Sequence, residues 1–184
     1  MIVLSAPAGT GKTTLTRMLI EEFPKRFVRS VSCTTRSPRE GEVDGRDYLF
    51  LTKEAFEKQI EKGDFLEHTV VFEHYYGTMK SSVEAGRRGG RHVLLVIDTT
   101  GARFLRKRID CVRIFIAPPS FAVLKERLQS RRTESEEVIR KRLDRVAHEV
   151  DQAKHYDYRI INDTLPEAYA ILKSIIVAEE HRNR

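Results

Sequence analysis

Cysteine is scarce in this 184-residue chain, where only Cys33 and Cys111 occur. Two thiols cannot build a disulfide framework, and each reads as a small core or strand-end residue rather than a redox or metal ligand. Long apolar runs are missing too, so no segment has the length needed to span a bilayer. The N-terminus lacks a basic region followed by a long apolar stretch, which argues against a cleavable targeting peptide and for a cytoplasmic protein. Low-complexity linkers and internal repeats are absent, and the length suits one domain. The six histidines fall at no spacing that suits a metal site. No interleaved aromatic and basic platform for single-stranded nucleic acid is present, which argues against a nucleic-acid-binding ATPase.

What is present is cationic. The net charge is +6, with 33% charged and 40% hydrophobic residues, an ordinary balance for a soluble globular chain. A basic excess suits either a nucleic-acid surface or a site for small polyanions, and the distribution favours the second. The arginines fall in short groups rather than one tail: Arg36 with Arg39, then Arg131, Arg132, Arg140 and Arg142. A third group, Arg87, Arg88 and Arg91, is flanked by Gly86, Gly89 and Gly90 and reads as a solvated turn.

Strand-like apolar runs alternate with helical patterns from end to end, the rhythm of an α/β protein with a parallel sheet. Val93–Ile97 and Val112–Ile116 are continuous and rich in β-branched residues, as in strands covered on both faces, and Tyr158–Asn162 is a third candidate. A last helix carries Ala168, Ile171, Leu172, Ile175 and Ile176 as its apolar stripe. Between the first helix and residue 80 the pattern changes. Short segments at Phe27–Ser32, Tyr48–Leu51 and Thr69–Phe72 surround one helix, Lys53–Lys62, capped by Thr52 and stopped by Gly63. This region reads as a small mixed or antiparallel insert. A second insert candidate is Arg127–Arg145, where Thr133 and Glu136 have capping-box spacing and Ile139, Leu143, Val146 and Val150 form a buried stripe.

The first chemistry lies at the N-terminus. An apolar strand, Ile2–Ser5, runs into Ala6-Pro7-Ala8-Gly9-Thr10-Gly11-Lys12-Thr13-Thr14, and then into a helix whose Leu15, Met18, Leu19 and Phe23 recur at helical spacing until Pro24. Gly9 and Gly11 let successive N–H groups turn toward an anion, and the helix adds its positive end. Lys12 would reach the β- and γ-phosphates of a nucleotide, and Thr13 a Mg²⁺. Ala6 stands where the phosphate-loop pattern has its first glycine, so the competing reading is a glycine-rich turn before an ordinary lysine. A second phosphate grip is Arg36-Ser37-Pro38-Arg39, two guanidinium groups around a proline-stiffened turn.

In this order and spacing, Ser5-Ala-Pro-Ala-Gly-Thr-Gly-Lys-Thr13, Ser32-x-Thr-Thr-Arg36-x-Pro-Arg39-x-Gly-Glu42, Gly45-x-Asp-Tyr48, Phe65-Leu-Glu67, Tyr75-Tyr76-Gly77-Thr78, Ile97-Asp98, Ala117-Pro-Pro-Ser120, Arg131-x-Thr-Glu134 and Ile161-Asn162-Asp163 resemble the guanylate kinases, bacterial type, over nearly the whole chain. The resemblance implies a P-loop three-layer α/β fold: a parallel central sheet (approximately 1–31, 80–125 and 146–184), a GMP-binding insert (approximately 32–79) and a short helical lid (approximately 126–145). It implies transfer of the ATP γ-phosphoryl group to GMP with Mg²⁺, in a monomer or homodimer that engages neither nucleic acid nor membrane.

The resemblance also implies roles. Ala6 to Thr14 and Asn162 would bind ATP. Glu67 would accept from the guanine N1–H and 2-amino groups, Thr78 would donate to O6, and Ser32 would lie on the guanine side. Arg36, Arg39, Tyr48 and Tyr76, with Gly77, would hold the GMP phosphate end. Lys12, Arg36, Arg131 and Arg142 would be catalytic, and Asp98 would serve the GMP side or reach the metal through water. Of the tyrosine pair, neighbours on an extended chain face opposite ways, so Tyr76 is taken for the site and Tyr75 for the core. The chain departs from the family pattern at Val96, Thr100 and Arg132, where an acidic residue, Gln and Gly are usual. Two other readings compete: a kinase of another phosphorylated acceptor such as ribose 1,5-bisphosphate, and a non-catalytic guanylate-kinase-like binding module.

Overall fold

The computed structural model describes residues 1–106, 108–130 and 136–183, with backbone alone for 130 and 136–142. Five strands form a parallel sheet in the order β2 (Phe27–Arg29), β7 (His92–Val96), β1 (Ile2–Ser5), β8 (Val112–Ala117), β9 (Tyr158–Ile161). β1 is central because every side chain in it is buried, and its alternating residues feed two cores. Ile2 and Leu4 face one side, where they meet Leu15 and Leu19 of α1 (Lys12–Glu22) and Leu172 and Ile176 of α7 (Leu165–Glu180). Val3 faces the other, with Val83 of α3 (Lys80–Arg88) and Ala102 and Leu105 of α4 (Thr99–Leu105). Helices on both faces of one sheet make the three-layer architecture.

A second sheet, in the order β4 (Leu49–Phe50), β3 (Cys33–Thr34), β6 (His74–Met79), β5 (Phe65–Val71), is mixed. β3 pairs parallel with β4 and antiparallel with β6, and β5 pairs antiparallel with β6. α2 (Lys53–Glu61) covers it through Phe56, whose ring stacks 4.3 Å from Phe65 and 5.1 Å from Tyr75. Thr52 caps this helix by accepting from the Ala55 N–H, and Gly63 leaves it at φ 68°, as the capping pattern predicts. α5 (Phe121–Ser130) and α6 (Glu136–Asp151) form a pair joined by Leu124, Leu128, Leu143 and Val146. Among the described residues no helix is long and apolar enough to cross a membrane.

Three local expectations need correction. Phe27–Ser32 contributes to the parallel sheet, not the mixed one: Phe27–Arg29 extends it at its edge by pairing with β7. Ile171 is 44% exposed, because α7 buries only the narrower stripe of Ala168, Leu172 and Ile176. Arg87 and Arg88 end α3, where cations complement the helix dipole, rather than occupying a turn.

Candidate active site

The loop after β1 opens into one cleft of about 260 Å³ that runs from the start of α1 to the mixed sheet. Its backbone needs both glycines: Gly9 has φ 85° and Gly11 φ 87°. A Cβ on Gly9 would meet Leu128 at 3.1 Å and Leu124 at 3.2 Å, so the α5–α6 pair presses on the loop from outside. A Cβ on Gly11 would lie 2.5 Å from the Asn162 amide nitrogen. That nitrogen donates to the Thr10 carbonyl at 2.8 Å, and Asn162 is 4% exposed. Asn162, expected near the adenine, is not among the residues lining the cleft, and its amide braces the loop. Ala6 through Thr14 all line the cleft. Lys12 Nζ donates to the Ala6 carbonyl at 2.5 Å, folded back over the concavity, while Thr13 is exposed.

At the far end stand Ser32, Arg36, Arg39, Tyr48, Tyr76 and Gly77. Arg36 is held by Glu42, whose two carboxylate oxygens each accept from Nη2 at 2.9 Å, and by the Ser37 carbonyl at 2.6 Å from Nη1. Its Nε is buried, and the guanidinium also interacts with the Tyr76 phenol. Tyr48 and Tyr76 meet edge to face at 6.0 Å, so the two phenols form one wall. Gly77 admits no side chain because Phe65 Cδ1 would lie 2.8 Å from its Cβ. Tyr75 stacks into the Phe56 cluster, so the tyrosine pair divides between core and cleft as alternation requires.

Glu67 is 3% exposed and accepts from Thr78 Oγ1 at 2.6 Å. A register shift between Phe65 and Glu67 brings it there. Without that bulge a strand's period of two would turn Glu67 onto the same face as Phe65, into the apolar cluster. Burial pushes its carboxyl up to about 7, the Thr78 hydrogen bond opposes that rise, and the nearby Asp98 charge adds to it. Thr78, expected to donate to guanine O6, is wholly buried and its one hydroxyl proton goes to Glu67. Gly101 makes room for this carboxylate, since a Cβ there would lie 2.4 Å from Oε2.

Asp98 caps α4, Oδ1 accepting from the Gly101 N–H at 2.8 Å. Its Oδ2 faces Arg145 at 3.4 Å. Arg145, Glu149, Phe72 and the bracing Glu42 were not singled out for the site by motif reading. The first three come from α6 and from a hairpin tip remote in sequence, and only folding brings them to the cleft. Arg131, Arg132 and Thr133 lie outside the described residues, as do the side chains of Ile139, Arg140 and Arg142. The chemistry of the donor set suits magnesium carried on phosphates: the exposed Thr13 hydroxyl is a hard oxygen ligand, and Asp98 lines the same cleft.

The family model described as guanylate kinase matches residues 1–179. The guanylate kinase of Protochlamydia amoebophila is 52% identical over 182 residues, covering 99% of this chain and 92% of that protein. The guanylate kinase of Chlamydia felis is 48% identical over 183 residues, covering 100% of this chain and 90% of that protein. Among solved structures, guanylate kinase from Anaplasma phagocytophilum superposes with a TM-score of 0.82 at 33% identity, covering 100% of this chain and 87% of that one. The SH3-kinase fragment of tight junction protein 3 matches at TM-score 0.56 and 13% identity, covering 99% of this chain and 57% of that one, which shows a shared fold alone. With a family model over almost its whole length and close relatives at full coverage, this chain is an enzyme that belongs to the guanylate kinase family.

Proposed function

We propose that the chain transfers the γ-phosphoryl group of ATP to GMP, giving ADP and GDP. What carries the reading is one cleft with two unlike ends: a glycine-bent loop at the start of α1, and a second end lined by the buried Glu67 carboxylate and by Arg36, Arg39, Tyr48 and Tyr76. The residues from Ser32 to Thr78 act as the acceptor insert and the α5–α6 arm as the lid.

The loop N–H groups and Lys12 take the donor phosphates, and Lys12 gives up the Ala6 carbonyl to do so. Thr13 would hold magnesium, which when bound offsets charge on the β- and γ-oxygens, while Asp98, whose charge raises the Glu67 carboxyl pKa, serves the guanine side. Arg36, Arg39, Tyr48 and Tyr76 grip the acceptor phosphate, and Glu42 preorients Arg36 for it. Glu67 accepts from guanine N1–H and the 2-amino group, a donor pair that adenine lacks on that edge. A buried acceptor left unpaired penalises the wrong base. The chain supplies no nucleophile: the acceptor phosphate oxygen attacks in line, and the protein supplies alignment and positive charge between two mutually repelling anions.

The test is ADP release from Mg-ATP with GMP, AMP, UMP, CMP and ribose 1,5-bisphosphate offered separately. Release with GMP far above the ATP-only background is expected. Lys12→Ala should remain folded by circular dichroism and lose about 10³-fold or more in turnover, the scale of a phosphate-stabilising cation. Background-level release with GMP, or an undiminished Lys12→Ala, overturns the reading.

A further inference from the structure

Arg145 is a charged side chain in contact with three residues that line the cleft, Asp98, Glu149 and Phe72, and the phosphoryl-transfer reading gives it no task. It projects from α6, and its guanidinium meets three separate parts of the chain. Nη2 lies 3.4 Å from Asp98 Oδ2 at the end of β7, and Nε lies 3.2 Å from Glu149 Oε1 one helical turn onward. Cζ stands 5.6 Å from the centroid of the Phe72 ring, at the tip of the hairpin joining β5 to β6. The side chain is 27% exposed, so these interactions are partly shielded from water and stronger than those of an open surface pair.

The geometry of Asp98 decides what that contact does. One carboxylate oxygen is already committed, since Oδ1 accepts the Gly101 N–H at 2.8 Å. Oδ2 is therefore the oxygen whose direction Arg145 sets. The charged and titratable groups around it are Glu67 from β5, Arg145 and Glu149 from α6, and the Tyr156 phenol behind the sheet. Two carboxylates, Glu67 and Asp98, stand close enough to repel, and Arg145 supplies a cation beside the second of them. Arginine suits the place because its planar fork offers Nε and Nη2 along different edges while its face rests on an aromatic ring. Lysine keeps a charge and three donors on a single nitrogen but lacks the planar two-edged fork and the flat face that rests on a ring.

We propose that Arg145 is a positioning residue of the acceptor-base pocket, which acts through Asp98 by aiming Oδ2 beside Glu67 and by fastening α6 to the hairpin tip through Phe72. The inference deepens the GMP assignment and rests on it. Guanine then meets two carboxylates of fixed direction, the second held at Oδ1 by the Gly101 N–H and at Oδ2 by Arg145. The cost of ordering the second is met before the substrate arrives, which is how preorganisation gains affinity.

The experiment measures GMP affinity by calorimetry and steady-state constants for wild type, Arg145→Gln, Arg145→Lys, Asp98→Asn and the Asp98→Asn/Arg145→Gln double variant. Arg145→Gln should weaken GMP binding and raise KM for GMP about tenfold, with KM for ATP changed by less than about twofold. Arg145→Lys should fall between it and wild type, a partial rescue that a space-filling role would not produce. In the double variant GMP affinity should equal that of Asp98→Asn alone, because an effect routed through Asp98 vanishes with it. Arg145→Gln with unchanged GMP affinity, with equal losses for ATP and GMP, or with a loss that multiplies fully with Asp98→Asn overturns the inference. Should Arg145→Gln not fold, the lysine variant carries the same comparison. A wild type that binds and phosphorylates no GMP defeats the acceptor assignment itself, a separate outcome from an active wild type indifferent to position 145.

Discussion

A carboxylate that is 3% exposed and has one hydroxyl donor holds its proton more tightly than one in water, and Glu67 does so up to about 7. As a base reader it must be ionised, so kcat/KM for GMP should rise with pH through about 7 and level off above it. In Glu67→Gln that limb should disappear and the preference for GMP over AMP should fall. The same shift acts on stability with the opposite sense. Between the unfolded value of 4.5 and about 7 the folded chain binds more protons than the unfolded one. Stability therefore falls as pH rises across that window and is flat beyond it, a loss on the order of 3 kcal/mol. Urea melts at pH 5 and pH 8 should show this loss in wild type and a smaller one in Glu67→Gln. A wild type with equal stability at the two pH values would remove the buried-carboxylate account. The identity of Glu67 was legible from Phe-Leu-Glu in its motif context. Its burial was not, because it depends on a bulge that breaks strand periodicity and on Gly101, 34 positions away, leaving space.

Among the elements, those set by local rules were legible and those set by partners were not. α2 has a threonine cap, a glycine stop and an apolar face, and it forms between them. β2 and β4 are short strands whose sheet membership is decided by which neighbour offers its backbone, a fact that no window of local sequence contains. The hairpin joining β5 to β6 defies local rules. Val71 pairs with His74, so Phe72 and Glu73 alone make the turn, with φ of 47° and 67°. Two-residue hairpin turns with both central φ positive favour Asn-Gly or similar pairs, and a non-glycine residue there costs roughly 1 kcal/mol. Glu73→Gly should therefore stabilise the protein by about 0.5–1 kcal/mol in urea denaturation without shifting KM for either nucleotide. Phe72 offers no such gain, since its ring is what Arg145 rests on. A Glu73→Gly variant of lower stability would mean that the strain at this tip is offset by contacts of the Glu73 side chain.

At the scale of the whole molecule, the order β2-β7-β1-β8-β9 puts the glycine-bent loop after β1 at the middle of the sheet, where connections leave β1 and β7 toward opposite faces. Ligand clefts form at such places because the loops diverge there. The mixed sheet then stands across the cleft and turns Arg36, Tyr76 and Glu67 back toward the loop. The donor half was legible as a contiguous motif. The acceptor half was legible only as fragments in order, and its distances depend on how the two sheets face each other. On the proposed assignment both nucleotides share this one cleft, so a molecule joining adenosine to guanosine through a polyphosphate chain should occupy both ends together. Its second end binds without paying again for lost translational freedom, so its Kd should lie at least about 100-fold below that of ATP or GMP alone. The adenosine–adenosine counterpart should lose most of that gain, because its second base offers Glu67 no paired donors. Calorimetry of the three ligands decides it, and a joined ligand that binds no tighter than ATP would show that the two ends of the cleft cannot be filled by one extended molecule.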